Sequence, residues 1–185
     1  MRVIVGLSGA TGAVYGIRLL EELKKQGAET HLVISKWGEH TIAEETVYTA
    51  EIVKSLAAFN YDVNDLSCSI SSGSFPVDAM VISPCSMKTL AGIACGITDN
   101  LLVRAADVCL KERRKLILLA RESPLSLIHL ENMVRVTKAG AIVMPPVPAF
   151  YTKPQSLDDL INQTVWKIID QLGLPAPMYK RWKKD

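Results

Sequence analysis

The sequence predicts an α/β protein, a Rossmann-like (flavodoxin-like) three-layer sandwich with helices on both faces of a central parallel sheet. Short runs rich in valine, isoleucine and leucine alternate with segments of helical periodicity. The apolar runs tend to end in turns of small or hydroxyl-bearing residues, as strands do when they lead into helices. At 185 residues the chain fits one domain, and we expect it over residues 1–173, followed by a basic tail over 174–185 that packs near an active site.

The first half of the chain predicts two strands and three helices. Gly27 ends the first helix, and Ser35 is a natural N-cap for the second. The hydroxyl-rich segment 69–76 is expected to be a loop. The elements, in chain order, are strand Arg2–Ser8, a helix from about Ala13, strand Thr30–Ile34, a helix to about Thr46 and a short helix near Ala50–Ala58.

The second half continues the alternation. Asp99 is the expected cap of an almost wholly apolar helix, which predicts burial on several sides. Ser123 followed by Pro124 predicts another helix start. The elements are strand Ala79–Ser83, helices Met87–Ala94 and Asn100–Lys111, strand Lys115–Ala120, a helix to about Lys138, strand Gly140–Met144 and helix Leu157–Leu172.

Composition narrows the class of protein. Apolar residues make up 49% and charged residues 22%, and the net charge of +2 lacks the basic excess of a nucleic-acid or membrane-surface binder. No apolar run approaches the roughly 20 residues of a membrane span. Four scattered cysteines indicate reduced thiols and a cytoplasmic protein. His31, His40 and His129 show no metal-ligand spacing, so no metal is expected.

The residues just past the predicted strands are the candidate ligand-binding groups, because parallel α/β sheets bind ligands outside their carboxyl ends. A glycine turn that leads into a helix N-terminus attracts anions. A turn without a ligand and, at Ser35, capping alone remain alternatives. The groups are Gly9-Ala10-Thr11, Ser35, Ser86-Met87-Lys88-Thr89, Arg121-Glu122 and Pro145–Tyr151.

A mononucleotide fits this pattern better than a dinucleotide does. The first turn reads Gly-Ala-Thr-Gly, which is not the dinucleotide fingerprint, and no acid follows the second strand to hold a ribose. Cys85 is conceivable as a nucleophile, but no base is visible for it, so a structural role is favoured.

Matched blocks along essentially the whole chain resemble the flavin prenyltransferase family, the UbiX type. The variant Pro-Cys-Ser-Met-Lys-Thr resembles the branch that partners phenolic-acid decarboxylases. The blocks are Gly9–Gly12, Ser71–Phe75, Pro84–Gly92, Arg104–Asp107 with Lys111, Arg121–Ser126, His129–Met133 and Pro145–Tyr151.

The resemblance implies transfer of a dimethylallyl group from dimethylallyl phosphate to N5 and C6 of reduced FMN. The product, prenylated FMN, would serve a UbiD-type decarboxylase. It also implies a metal-independent reaction and a large homo-oligomer, often a dodecamer, with each site built where subunits meet.

The resemblance also implies residue roles. Glu45 is a further residue that would reach the site. Thr11 stands where many members have Ser, and Lys167 where Arg is common, which loses a bidentate fork. The implied FMN-binding residues are Gly9, Ala10, Thr11, Ser35, Ser86, Met87, Lys88, Thr89 and Arg121. Those for dimethylallyl phosphate are Arg104, Lys111, Tyr151 and Lys167, and the catalytic residues are Glu122, Arg121, Lys111, Thr11 and Trp182.

Two other functions stay open at this point. An FMN-dependent cysteine decarboxylase shares the fold and the flavin site, but its Asn-rich signature and catalytic His are not found in this sequence. A non-enzymatic flavin-carrying subunit of a decarboxylase complex would bind FMN without consuming dimethylallyl phosphate.

Overall fold

The structure is a computed structural model that describes residues 1–182. Within that range the chain forms one six-stranded parallel sheet and seven α-helices. In chain order the elements are β1 (Arg2–Leu7), α1 (Ala13–Lys25), β2 (Glu29–Ile34), α2 (Lys36–Glu45), α3 (Ala50–Leu56), β3 (Phe59–Tyr61), β4 (Ala79–Cys85), α4 (Met87–Cys95), α5 (Leu101–Lys111), β5 (Lys115–Ala120), α6 (Leu127–Ala139), β6 (Ile142–Val143) and α7 (Leu157–Leu172), with short 3-10 turns at Ser69–Ser71 and Phe150–Thr152.

The strand order β3-β2-β1-β4-β5-β6 confirms the predicted fold class. Without the short edge strand β3, the order is that of a flavodoxin-like sheet. The order reverses between β1 and β4, so the carboxyl ends of these two strands flank the topological switch point. Ligands of such sheets bind at that point.

Two apolar cores lie on the two faces of the sheet. One packs α1 and α7 over residues such as Val5 and Val81, and the other packs α4 and α5 over residues such as Met80 and Leu118. Each fully buried aliphatic side chain contributes about 1.5–3 kcal/mol of hydrophobic free energy. Seven of the eleven residues of α5 are buried, which confirms the predicted burial of this helix on several sides.

Three local features differ from the sequence predictions. The strand β3 was not predicted, because its three half-exposed residues pair only with β2 and give no periodic signal. Asn100, not Asp99, caps α5, since its side chain accepts from the N–H groups of Leu102 and Val103. The start predicted at Ser123 is wrong, because α6 begins at Leu127.

The capping box of α6 explains where this helix starts. The Ser126 hydroxyl accepts from the N–H of His129, and the His129 ring accepts from the N–H of Ser126. This reciprocal pair satisfies two N–H groups that would otherwise lack partners at the helix end. Pro124 lies in the turn before it.

A polar network joins the amino ends of β1 and β2. The Arg2 guanidinium bonds the Glu29 carboxylate, which also meets the buried His31 ring at 2.9 Å. The Arg2 hydrogen bond, helped by His31, lowers the pKa of Glu29 to about 2. The other His31 nitrogen meets the Tyr61 hydroxyl at 2.8 Å, so the network also fixes edge strand β3.

The C-terminal segment folds back onto the domain. Leu174 and Ala176 pack against the core that holds α1 and α7, and the Gln26 amide donates to the carbonyl of Pro175. Residues 183–185 of the predicted tail lie outside the described residues. No helix within residues 1–182 has the length and apolar character to cross a membrane.

Candidate active site

Ser8 ties the carboxyl ends of β1 and β4 together at the switch point. Its buried hydroxyl donates to the carbonyl of Pro84 at 3.0 Å and accepts from the N–H of Ser86 at 2.8 Å. Such side chain to main chain bonds fix the relative position of two loops. These two bonds therefore hold the turn after β1 and the start of α4 in a fixed relative position.

The turn at residues 9–12 packs against α2. A Cβ on Gly9 would overlap the Cβ of Trp37, so only glycine allows this close approach. Gly12 takes a φ of 102°, in the left-handed region, and precedes α1 without a side-chain cap. The exposed Thr11 is therefore not a helix cap, and its hydroxyl has no partner within residues 1–182.

Glu45 reaches the N-terminus of α1. Its Oε2 accepts from the N–H of Gly12 at 2.7 Å and from that of Ala13 at 3.2 Å. A carboxylate in this place is stabilised by the positive end of the helix dipole. The contact shows that the N-terminus of α1 holds an anionic group, and it brings Glu45 beside Thr11.

Ser35 and Ser86 are the N-caps of α2 and α4. The Ser35 hydroxyl accepts from the N–H of Gly38, and the Ser86 hydroxyl accepts from the N–H of Thr89 and donates to its hydroxyl at 3.1 Å. The predicted capping role of Ser35 is confirmed. The N–H groups of the two residues that follow each cap have no acceptor within the described chain.

These groups fit a flavin mononucleotide. Free N–H donors at two helix starts, the donor capacity of the Ser35 and Thr89 hydroxyls, and the bare backbone of Gly9 meet the requirements of a phosphate and a flat polar ring. Met87 and Thr89 lie almost buried beside them. Lys88 instead extends outward, with its ammonium 3.7 Å from the Asp99 carboxylate.

Arg121 and Glu122 follow β5 directly. The N–H of Arg121 donates to the carbonyl of Cys85, which places the pair beside the end of β4. Both side chains are exposed, and neither forms an ion pair within residues 1–182. The Glu122 carboxylate accepts only from the N–H of Ser123, at 3.0 Å. A charged pair that is free of structural partners suits binding and catalysis.

A small cavity of about 190 Å³ lies between the segment before α7, α7 itself and the C-terminal segment. Tyr151 and Lys167, which the sequence predicts for one substrate, both line it together with Gln163 and Tyr179. The Lys167 ammonium lies 5.1 Å from the centre of the Tyr179 ring and 3.6 Å from the Asp170 carboxylate.

Tyr151 is held by a hydrogen bond and a ring contact from the C-terminal segment. Its hydroxyl donates to the carbonyl of Lys180 at 3.2 Å, and its ring meets that of Trp182 edge to face at 5.4 Å. Burial, followed by the hydrogen bond with Tyr179, raises the pKa of Tyr151. The hydroxyl therefore stays protonated and can donate. Neither Gln163 nor Tyr179 was predicted as a site residue; the available signal was that Gln163 lies one helical turn before Lys167 on the same side of α7.

Lys111 does not join these groups within one chain. The helix α5 runs back from the carboxyl edge of the sheet, and Lys111 ends it four residues before β5 begins. The six residues of β5, roughly 20 Å long, separate that end from Arg121. Arg104 binds the carbonyl of Ser71 and the carboxylate of Asp107.

Other candidate chemistry finds little support. Cys85 is fully buried at the end of β4, and burial raises its pKa to about 12, so the structural role is favoured. Residues 1–182 hold no group of three or more ligand side chains suited to a metal. A larger open cavity, about 510 Å³, lies beside β3 around the Lys54–Glu39 ion pair, and Ile34 and Lys36, the chain neighbours of Ser35, also line it.

Comparisons of sequence and of structure with known proteins point to the same family. The family model described as Flavoprotein matches residues 1–168. The flavin prenyltransferase UbiX of Thauera aromatica is 53% identical over 98% of this chain and 94% of its own length. The structure of AnUbiX (PadA1) in complex with FMN and dimethylallyl pyrophosphate is 51% identical, with a TM-score of 0.97 over 99% of this chain and 97% of that one.

Two further structures show how far the similarity to known proteins extends. The dodecameric FMN-dependent UbiX-like decarboxylase of Escherichia coli O157:H7 is 51% identical, with a TM-score of 0.97 and full coverage of both chains. The epidermin biosynthesis protein EpiD of Staphylococcus aureus has a TM-score of 0.63 over 80% of this chain and 85% of that one, but its identity is 21%. At that identity the similarity extends to the fold alone.

Proposed function

The chain belongs to the UbiX-type flavin prenyltransferases of the Flavoprotein family. We therefore propose that the loops after β1, β2, β4 and β5 (the switch-point loops) and the small cavity beside Tyr151 and Lys167 together form the active site. Reduced FMN, when bound, supplies the N5 and C6 atoms that accept the dimethylallyl group. The observation that carries the proposal is the position of the free Arg121–Glu122 pair just past β5, whose end adjoins that of β4 at the switch point.

The FMN-binding role falls to the loops after β1, β2 and β4. The free N–H groups at the starts of α2 and α4 and the hydroxyls of Ser35 and Thr89 supply donors, while Gly9 and Ala10 supply a bare backbone. The Thr11 hydroxyl, which caps nothing, is free to contact the flavin or the phosphate of the second substrate. Ser86, Met87 and Lys88 complete the α4 side.

The second substrate, dimethylallyl phosphate, would place its phosphate against Tyr151 and Lys167. Cleavage of the allylic carbon–oxygen bond moves its electron pair onto the phosphate, and the Lys167 ammonium, the Tyr151 hydroxyl and Arg121 would stabilise the negative charge that develops there. The allyl fragment becomes cation-like, and the Glu122 carboxylate and the Trp182 ring favour it. The AnUbiX complex with dimethylallyl pyrophosphate supports this substrate class.

A second copy of the chain would supply Arg104 and Lys111. Within one chain Lys111 lies at the opposite end of β5 from Arg121, which supports a second copy as its source, and Arg104 lies on the same helix as Lys111. The dodecameric relative supports a homo-oligomer, and we propose a dodecamer here. Each active site would then combine switch-point loops from one copy with α5 from another.

The finer biological assignment is also a proposal. We infer that the product passes to a UbiD-type decarboxylase, in the branch that acts on phenolic acids, and that the reaction takes place in the cytoplasm. The variant block Pro84–Thr89 and the scattered reduced thiols support these two inferences. The domain and tail division at residue 173 follows the end of α7.

One experiment tests the function. The protein is incubated anaerobically with reduced FMN and dimethylallyl phosphate, and the released flavin is weighed by mass spectrometry. We expect a gain equal to one dimethylallyl group less one hydrogen. An unchanged flavin mass, with folded and FMN-loaded protein, would refute the prenyltransferase and favour a flavin-carrying subunit. Decarboxylation of a cysteine peptide in the same assay would favour the cysteine decarboxylase.

A further inference from the structure

The side chain of Gln163 joins α7 to the main chain of the C-terminal segment. Its Nε2 donates to the carbonyl of Lys180 at 2.9 Å, and its Oε1 accepts from the N–H of the same residue at 3.2 Å. Gln163 is 7% exposed and lies on the side of α7 that carries Lys167 and Asp170, while the buried isoleucine and valine side chains of the helix face the core. A buried amide whose donor and acceptor both bind one residue is a specific link, because each group would be costly to bury unpaired.

The link places two aromatic residues over the small cavity. Tyr179, which precedes Lys180, lines the cavity and lies under the Lys167 ammonium. Trp182, two residues after Lys180, meets the ring of Tyr151. The carbonyl of Lys180 accepts from Tyr151 as well as from Gln163, so one main-chain group connects the segment to two walls of the cavity.

We infer that Gln163 is a positioning residue, whose amide fastens Lys180 so that Tyr179 and Trp182 close the pocket for the prenyl phosphate beside Tyr151 and Lys167. The inference rests on the proposed function of that cavity. Gln163 acts through the groups that it holds, which are the main chain of Lys180 and, by a longer bond of 3.4 Å, the Tyr151 hydroxyl. A second link to the segment, between Arg181 and Asp170, lies on the same side of α7, and the Arg181 guanidinium lies 5.2 Å from the centre of the Tyr179 ring. Gln163 supplies the link to the main chain of the segment.

Two substitutions separate positioning from general stability. Gln163→Met keeps the length and approximate volume of the side chain but removes the two hydrogen bonds to Lys180 and the longer one to the Tyr151 hydroxyl. Gln163→Glu keeps the acceptor for the N–H of Lys180 and loses the donor to its carbonyl. Gln171→Met, on the same helix, is the matched control, because the Gln171 side chain has no hydrogen bond within residues 1–182.

The measurements are the rate of trypsin cleavage after Lys180 and Arg181, the KM for dimethylallyl phosphate and the Kd for FMN. Loss of two ordinary hydrogen bonds predicts that Gln163→Met speeds cleavage and raises the KM, each about tenfold or more. The Kd for FMN and the melting temperature should stay near those of Gln171→Met. Gln163→Glu should give intermediate values.

Unchanged cleavage and KM in Gln163→Met would overturn the inference. Equal losses in FMN affinity and in KM would also overturn it, because they would mean that α7 itself is disturbed. The trypsin measurement needs no turnover, so it decides whether Gln163 fastens the segment even where no prenylated flavin forms. Absence of product with the wild-type protein would refute the proposed function and leave the cleavage result standing.

Discussion

The substitution Gly9→Ala tests the close approach between the turn after β1 and helix α2. The added methyl group would overlap the Cβ of Trp37 and come within 3.2 Å of its carbonyl carbon. The start of α2 must then move away from the turn, and Ser35 moves with it. Overpacking of this kind costs about 1–3 kcal/mol. For a domain of this size the melting temperature should fall by roughly 2–4 °C per kcal/mol.

FMN affinity should fall more than stability does, because the displaced groups are those proposed to bind it. Loss of one or two hydrogen bonds to the ligand corresponds to about a tenfold or larger rise in Kd. Titration of FMN fluorescence measures this Kd. Gly92→Ala in α4 is the control, since the added methyl group would come no nearer than 3.3 Å to the Val103 side chain, a contact that a small shift relieves, and alanine suits a helix.

A second substitution checks the cause. Trp37→Gly removes the Cβ that the new methyl group would meet, so the double variant should recover part of the FMN affinity lost by Gly9→Ala. Independent sites give additive losses, whereas a relieved clash gives a coupling between them. Strict additivity of the two losses, or normal FMN binding by Gly9→Ala alone, would refute the reasoning.

Three further predictions concern single groups. Glu122→Gln should retain FMN but form prenylated flavin at least tenfold more slowly, because removal of a charge that acts in the transition state typically costs that much; Glu131→Gln is the control. Iodoacetamide at pH 8 should modify exposed Cys95 first and leave Cys85, whose pKa is about 12, unmodified in the folded protein. Glu29→Gln should lower the melting temperature at pH 7, and the difference from wild type should disappear as the pH falls from about 4.5 towards 2, because the lowered pKa of this carboxylate stabilises the fold only while it is ionised.

Each of these predictions has a contrary result. Loss of FMN from Glu122→Gln would mean that the carboxylate is structural. Rapid modification of Cys85 in the native protein would mean that the end of β4 opens. A melting-temperature difference for Glu29→Gln that persists at pH 2 would mean that the pair with Arg2 is not its source.

The sequence predicted the sheet and most helix bounds because buried runs and helical periodicity extend over many residues. Helix Leu157–Leu172 has the predicted bounds. The predicted start of α6 was wrong because Ser123-Pro124 and Ser126 are both good helix start signals. Only the reciprocal hydrogen bonds between Ser126 and His129 decide between them. Three-residue β3 carries too little pattern for any prediction.

The site was predictable only in part, for a similar reason. A parallel sheet brings the residues that follow its strands to one edge, so the proximity of these residues could be predicted from the fold class. The contact of Glu45 with α1 and the link between Gln163 and Lys180 depend on side chains that meet across turns and segments. The separation of Lys111 from Arg121 depends on the direction of α5, which sequence periodicity does not give.

Complementation between two inactive variants tests the shared active site most directly. Lys111→Ala and Glu122→Gln are each purified, shown to bind FMN, then unfolded or dissociated together and reassembled. If each site takes Glu122 from one copy and Lys111 from another, mixed oligomers contain some intact sites and should form prenylated FMN. The expected result is that the mixture forms product much faster than either variant alone. A reassembled mixture that stays as inactive as its components would contradict the shared site.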